Sequence, residues 1–375
     1  MLNRRTFIGS AAAAGLTAAA CAPQAAPAGP TGAGGGPKAA WEQEWDNLVT
    51  AAKKEGQFVV MTAQGASYRK ALGAFEEAFP GITVDHTTGN ASTVVPRLLQ
   101  EIKGGIYSHD VLLTTVTTPY KSLRPADALQ PVRPLIFRPD VVDDTVWRDG
   151  FEAGFFEKEK RWMYAATLDK SVGVWINTDQ VRENEITKLE DLLNPKWRGR
   201  MISTDIRSVG TTWNVLDMKR GGGEEFVRKL YGEQKPVLVR DLRQGSEFMV
   251  KGQYAIGIGL PNEDIVRDFW AEGLGKNLKQ IEIDWVTFLL CRSHLYSMSQ
   301  APHPNAMKLF VNWFLTKEAQ TGWAQTVGQN SRRLDVPAGD PLKLPTPGKK
   351  YLTIENEEQQ QEVDRIYELA REILN

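Results

Sequence analysis

The chain has 375 residues, with 45 Lys and Arg against 46 Asp and Glu and a formal net charge of −1. That near balance argues against a nucleic-acid partner, and two cysteines, Cys21 and Cys291, exclude a disulfide framework or a structural zinc site of cysteine ligands. The roughly 335 residues from Trp41 onward exceed what one core usually holds, so two lobes are expected.

The chain opens with Arg4-Arg5-Thr6-Phe7-Ile8 and an Ala-rich apolar run to Ala20, too short to span a bilayer and followed by Cys21. A basic start, a short apolar run and small residues before a cut site make residues 1–20 an export signal. The paired arginines resemble the twin-arginine signal. Ala18-Ala19-Ala20-Cys21 resembles a lipobox, whose cysteine is acylated and tethers the mature chain to the membrane, with Ala18 where that motif usually carries Leu. Plain cleavage after an alanine is the alternative. Removing the signal leaves 43 basic and 46 acidic residues, a formal −3. Residues 21–40, rich in Pro, Gly and Ala, read as a flexible linker holding the folded body off the membrane.

From Trp41 the pattern alternates. A helix over 41–55 stops at Gly56, and Gln57 to Ala63 is a short apolar run, hence a buried strand. Ser67 caps a helix whose Tyr68, Leu72, Phe75 and Phe79 form one face before Pro80-Gly81. Ile82 to Val84 is a strand, Ser92 caps a second helix with Pro96 in its first turn, and Asp110 to Leu113 is a strand. Strand, helix, strand, helix, strand at this spacing makes an open, mostly parallel sheet.

Further on, 151–156 and 161–166 look like a hairpin, and Val172 to Asn177 is a strand. Thr187 and Glu190 suit a capping box. Met201 to Thr204, Val237 to Arg240 and Tyr254 to Ile258 read as strands, with helices near 210–219, 223–231, 243–251 and 262–272, a second α/β unit. Trp285 to Cys291 returns as a strand, and one long helix spans Pro304 to Trp323. A terminal helix presents Val363, Ile366, Leu369 and Ile373.

Ligands of open α/β sheets lie at the carboxyl ends of the strands, near helix N-termini. The first unit places small polar loops there: Gln64 to Ser67, Gly89 to Thr93 (with Asn90, Ser92 and Thr93), and Thr114 to Thr118 (with Thr115). Hydroxyl and amide groups there hydrogen-bond a ligand, or Ser67 and Ser92 only cap their helices. The second unit offers Asp205, Arg207, Ser208, Thr211 and Thr212, a set suited to a carboxylate, phosphate or phosphonate; the plainer alternative is a surface pair of Asp205 with Arg207. Asn262, after another strand end, is a third candidate rim. No Walker loop, G-x-S-x-G, H-E-x-x-H or C-x-x-C motif occurs. His86, His109, His294 and His303 are scattered, and Cys291 sits in an apolar strand as an inert buried thiol. These absences set no catalytic residues, no metal site and no cofactor.

The chain resembles the extracellular solute-binding proteins of ABC importers, in the group that includes ferric-iron binders. The resemblance is carried by Leu48 to Gly56, Phe75-Glu76-Glu77-Ala78-Phe79-Pro80-Gly81-Ile82, Asp110-Val111, Asp191 to Gly199, His303-Pro304-Asn305-Ala306 and Ser331-Arg332-Arg333-Leu334-Asp335-Val336. It implies a two-lobe periplasmic-binding-protein fold of type II, α/β, each lobe an open mixed sheet flanked by helices with a ligand cleft between. The lobes are expected over 41–165 plus about 285–320, and 166–284 plus about 321–375. It also implies a monomer that captures a small molecule outside the cytoplasm and delivers it to membrane permease subunits without turning it over. Ferric binders of this group use adjacent tyrosines as ligands, and no two of the nine tyrosines here adjoin. A small organic anion with Arg207 as counter-charge is therefore the leading expectation and ferric iron or an iron chelate the second. From other classes, an exported hydrolase with an unmarked carboxylate pair and a tethered scaffold with an exposed apolar patch are the alternatives.

Overall fold

The computed structural model describes residues 38–375 except 172, 208–211, 262, 282, 284–287, 346–351, 354–356 and 375, so residues 1–20, read above as an export signal, Cys21 and nearly all of the stretch read as a linker lie outside the described residues. In chain order the first stretch runs α1 (Ala40–Glu55), β1 (Gln57–Thr62), α2 (Ala66–Ala78), β2 (Thr83–Thr88), α3 (Ala91–Lys103), β3 (Val111–Thr114), α4 (Thr117–Ser122), β4 (Leu129–Gln130) and β5 (Met163–Ala165). Next come β6 (Asp169–Ser171), β7 (Val174–Asn177), β8 (Met201–Thr204), α5 (Thr212–Lys229), β9 (Val237–Val239), α6 (Leu242–Val250), β10 (Ile256–Ile258), α7 (Glu263–Ala271) and β11 (Leu278–Ile281). The chain returns through β12 (Phe288–Leu290) and β13 (His294–Met298) to α8 (Pro304–Phe314) and α9 (Lys317–Val327), then ends with β14 (Leu352–Thr353) and α10 (Glu357–Leu374).

Two open mixed sheets result, and they share one topology. The first has the order β2-β1-β3-β13-β4, with β5 beside β13; the second has β9-β8-β10-β7-β11. In each, the strand second from the edge pairs parallel with both neighbours, and the fourth strand runs antiparallel to the third and the fifth. Apolar runs fit such strands because helices cover both faces. On one face of the first sheet Phe58, Phe75 and Phe310 pack together, Phe58 and Phe310 stacked at 4.5 Å between ring centroids. Met61, Leu112, Val95 and Leu98 fill the other face. In the second sheet Ile176, Met201 and Ile256 bury one face with Ile366, Leu369 and Ala370 of α10, and Trp175, Ile202 and Met249 bury the other.

A third, small sheet joins β6 and β12 antiparallel, with β14 parallel to β12. Its β6 and β12 belong to the two runs that cross between the large sheets.

Several local expectations are corrected. Helix α2 starts at Ala66, after Gly65, so Ser67 lies inside its first turn and is not its cap. Helix α3 starts at Ala91 with Asn90 as its cap residue, which puts Ser92 inside the helix and Pro96 in its second turn. The carboxylate that reaches back at residues 187–191 is Asp191, accepting from the Thr187 and Lys188 amides at 2.9 and 3.1 Å; Glu190 does not play that part. Residues 151–156 form a short 3-10 turn with one bridge from Phe155 to Tyr164 in place of a strand. The helices near 210–219 and 223–231 merge into α5, kinked at Gly223, whose φ of 77° suits glycine. The long helix from Pro304 divides, because the Thr316 hydroxyl caps α9 by accepting from the Ala319 amide. Helix α9 packs on α2 beside the first sheet, so of the stretch 321–375 it is α10 that joins the second, against α5.

Candidate functional site

The strand register locates the shared edge of the two large sheets. Thr114, the last residue of β3, faces His294, the first of β13, and His294 also faces Ala165, the last of β5. Both crossing runs therefore leave the first sheet at the carboxyl end of β3. In the second sheet Val174 opens β7 opposite Ile258, the end of β10, and opposite Ile281, the end of β11. Both crossing runs meet this sheet, too, at the carboxyl end of its parallel strands. Helix N-termini and irregular loops gather at these ends, where backbone N–H groups lack helical partners.

On the first sheet the edge is neutral. Gln64 is exposed and Ser67 half-buried after β1, while Asn90 and Thr93 are exposed after β2. Ser92 is the second residue of α3. Thr115 is exposed after β3, and its carbonyl accepts from the Tyr296 hydroxyl at 3.1 Å. A Cβ on Gly89 would stand 2.5 Å from Val94 Cγ2, so this backbone sits close on α3 for want of a side chain.

On the second sheet the edge is charged. Asp205 follows β8 with its carboxylate almost wholly buried, and its amide donates to the Val239 carbonyl at 2.8 Å. Oδ1 accepts from Arg207 Nε at 2.9 Å and the Arg207 amide at 3.1 Å; Oδ2 accepts from Arg207 Nη2 at 3.0 Å and from Arg240 Nε at 2.9 Å. The pair anticipated from sequence is real, but a second guanidinium shares the carboxylate. Hydrogen bonding from Arg207 first, and from Arg240 after it, pulls the Asp205 pKa down to about 2 against the opposing effect of burial. Two guanidiniums about one carboxylate leave a surplus positive charge, and Arg240 is 74% exposed. Thr212 opens α5; Ser208, Thr211 and Asn262 lie outside the described residues.

Arg240 was missed from sequence. Strand order places it here: it follows β9, which stands to β8 as β2 stands to β1, so Arg240 and Asp241 occupy the place that Gly89 and Asn90 hold in the first sheet.

The other reactive side chains lie elsewhere or are engaged. Tyr68 is buried, its hydroxyl accepting from Gln329 Nε2 at 3.0 Å. Tyr254 precedes β10 and so sits at the opposite edge. His86 and His109 bond Thr62 and Thr87 at 2.8 Å, and His303 Nδ1 meets the buried Asp110 carboxylate at 2.9 Å. Burial lowers His294 to about 3, which keeps it neutral. Cys291 is buried, 3.4 Å from the Thr167 hydroxyl. Among the described residues no three His, Cys, Asp or Glu side chains cluster closely enough to hold a metal ion.

The sequence profile of the bacterial extracellular solute-binding protein family matches residues 70–345. Iron uptake protein A1 of Synechocystis sp. (strain ATCC 27184 / PCC 6803 / Kazusa) is 25% identical over 277 residues, 70% of this chain and 71% of that protein. Iron-bound HitA from Pseudomonas aeruginosa superposes with a TM-score of 0.63 at 17% identity, covering 85% of this chain and 99% of that one. The Trichodesmium protein IdiA (FutA) with iron and citrate ligands does so at 0.63 and 13%, over 85% and 99%. With its profile match spanning well over half the sequence and a fold shared with these structures, the chain belongs to the bacterial extracellular solute-binding protein family.

Proposed function

We propose that this protein is the exported cargo-binding component of an ABC importer, tethered through Cys21, and that it closes two lobes, one around each large sheet, on a small organic anion. The observation that carries the ligand class is the surplus guanidinium at the Asp205, Arg207 and Arg240 cluster. Charge-assisted, forked donors suit a carboxylate or phosphonate, while the neutral loops at Gln64, Asn90 and Thr115 suit its hydroxyl or carbonyl groups. Closure follows from the ligand's preference for the state in which both edges touch it, and a permease pair receives that state.

A second reading, ferric iron or its chelate, is favoured by the iron-bound structural neighbours and by the relative named as an iron uptake protein. A ferric ion wants several anionic oxygens, and a polycarboxylate chelator brings them together with negative charge for the arginines. The test is a thermal-shift screen of the protein against carboxylates, phosphonates, amino acids, sugars, ferric salts and ferric citrate. Cargo at 100 times its dissociation constant adds about 2.7 kcal/mol to stability. The Arg207→Ala and Arg240→Ala variants are expected to bind at least tenfold more weakly. Unchanged affinity in both rejects the anion; a shift with chelator-free ferric salt alone selects the bare ion; turnover by the pure protein restores an enzyme.

A further inference from the structure

The stretch after residue 345 lies beyond the part matched to the family, yet β14 and α10 lie within it. Its attachments are not confined to one sheet. Just before it, the buried Asp340 accepts from Arg267 Nη2 of α7, on the second sheet. The Asp340 amide and carbonyl bond the Asn330 side chain at 3.0 and 2.9 Å, and Asn330 in turn donates its amide and Nδ2 to Asp169 Oδ1 of β6, both at 3.0 Å. Further on, β14 pairs with β12, Leu352 opposite Phe288 and Thr353 opposite Leu289. Helix α10 then buries Ile366, Leu369 and Ala370 in the second-sheet core, and Glu372 Oε2 accepts from Arg228 Nη2 of α5 at 2.7 Å.

We propose that Asp340, β14 and α10 together act as a strap that limits how far the two large sheets swing apart. The strap is tied to the second sheet at both ends, by the Arg267 to Asp340 pair and by α10, and in its middle it adds a third strand to the β6–β12 ladder. Two crossing strands alone bend by twisting their shared ladder. A third strand fixed at both ends must twist with them or lose its backbone bonds, so opening is opposed. This rests on the two-lobe reading above.

The test measures spin-label distances between Lys103→Cys at the end of α3 and Lys251→Cys just past α6, in the full chain carrying Cys21→Ser; Cys291 is buried and unlabelled. Removing 346–375 outright would uncover the apolar face under α10, so the ladder is broken instead by the double variant Leu352→Pro with Thr353→Pro, and the tie separately by Asp340→Ala. In variants that keep a cooperative melt, the expected result is a mean distance longer, or a distribution wider, by more than about 2 Å, the scale of domain rearrangement. Distributions that superimpose on the parent's overturn the strap. Adding ferric citrate and the anion panel to the parent separates the two ideas: shortening there with unaltered variants defeats the strap alone, and no movement in any chain defeats the hinge as well.

Discussion

Two guanidiniums on one buried carboxylate is a lopsided arrangement, and its pH behaviour follows from the depressed Asp205 pKa. A carboxyl held near 2 in the fold and near 3.8 when unfolded binds fewer protons folded than unfolded. Its contribution is therefore complete above about pH 4 and is lost as pH falls toward 2. The melting temperature of the parent is expected to drop across that window, and a double variant, Arg207→Ala with Arg240→Ala, to show a shallower drop; parallel curves sink the assignment. Near neutral pH, Arg240→Ala alone is expected to cost under about 1 kcal/mol, since so exposed a partner is well screened. At this scale the sequence was half legible. Asp205 and Arg207 are neighbours in the chain, so their pairing was readable, whereas Arg240 joins them only because β9 lies beside β8, a fact of strand order that no local pattern carries. The second reading of Ser67 and Ser92 as caps failed for a local reason: each helix begins one or more residues earlier than the hydroxyl suggested.

Elements were most legible where burial on both faces leaves long apolar runs, as in β1 and β3, and where a stripe such as Tyr68, Leu72 and Phe75 has the helical period. Boundaries failed where two signals overlapped. Between Phe314 and Lys317 the apolar run is unbroken in burial, and it concealed a cap. Thr316 accepts from the Ala319 amide at 3.3 Å and donates to the Trp313 carbonyl at 2.8 Å, so one hydroxyl ends α8 and begins α9. Thr316→Ala takes the side-chain acceptor from the Ala319 amide at the start of α9, while the Trp313 carbonyl keeps the Thr316 amide at 3.0 Å, and is expected to cost about 1 kcal/mol, as helix caps do. Urea unfolding checks this, with the midpoint lowered at constant slope. Thr316→Ser, which keeps the hydroxyl, is expected to recover most of the loss, and an equal loss in both variants points to packing of the methyl group instead.

At the scale of the whole molecule, the two large sheets share a topology but not a continuity. All five strands of the second come from the single stretch Val174 to Ile281, whereas the first draws β13 from beyond residue 290 and sets it between β3 and β4. The second sheet is thus an insertion into the first, entered and left through β6 and β12. These pair antiparallel, with Ser171 opposite Phe288, the spacing at which a two-residue turn closes a hairpin. A chain of residues 41–171 joined by an Asn-Gly turn to 288–345 keeps the first sheet, α8, α9 and the bond from Asn330 to Asp169. It shortens the open loop between β3 and β13 from about 180 residues to about 65, which favours closure by about 1 kcal/mol. This chain is expected to unfold in one cooperative urea transition with its aromatic core intact, while residues 41–171 alone, lacking β13, α9 and the helix α8 whose Phe310 packs on Phe58 and Phe75, are expected to remain unfolded. Loss of cooperativity in the joined chain would mean that the sheets stabilise each other across the crossing strands, and that neither moves as an independent body.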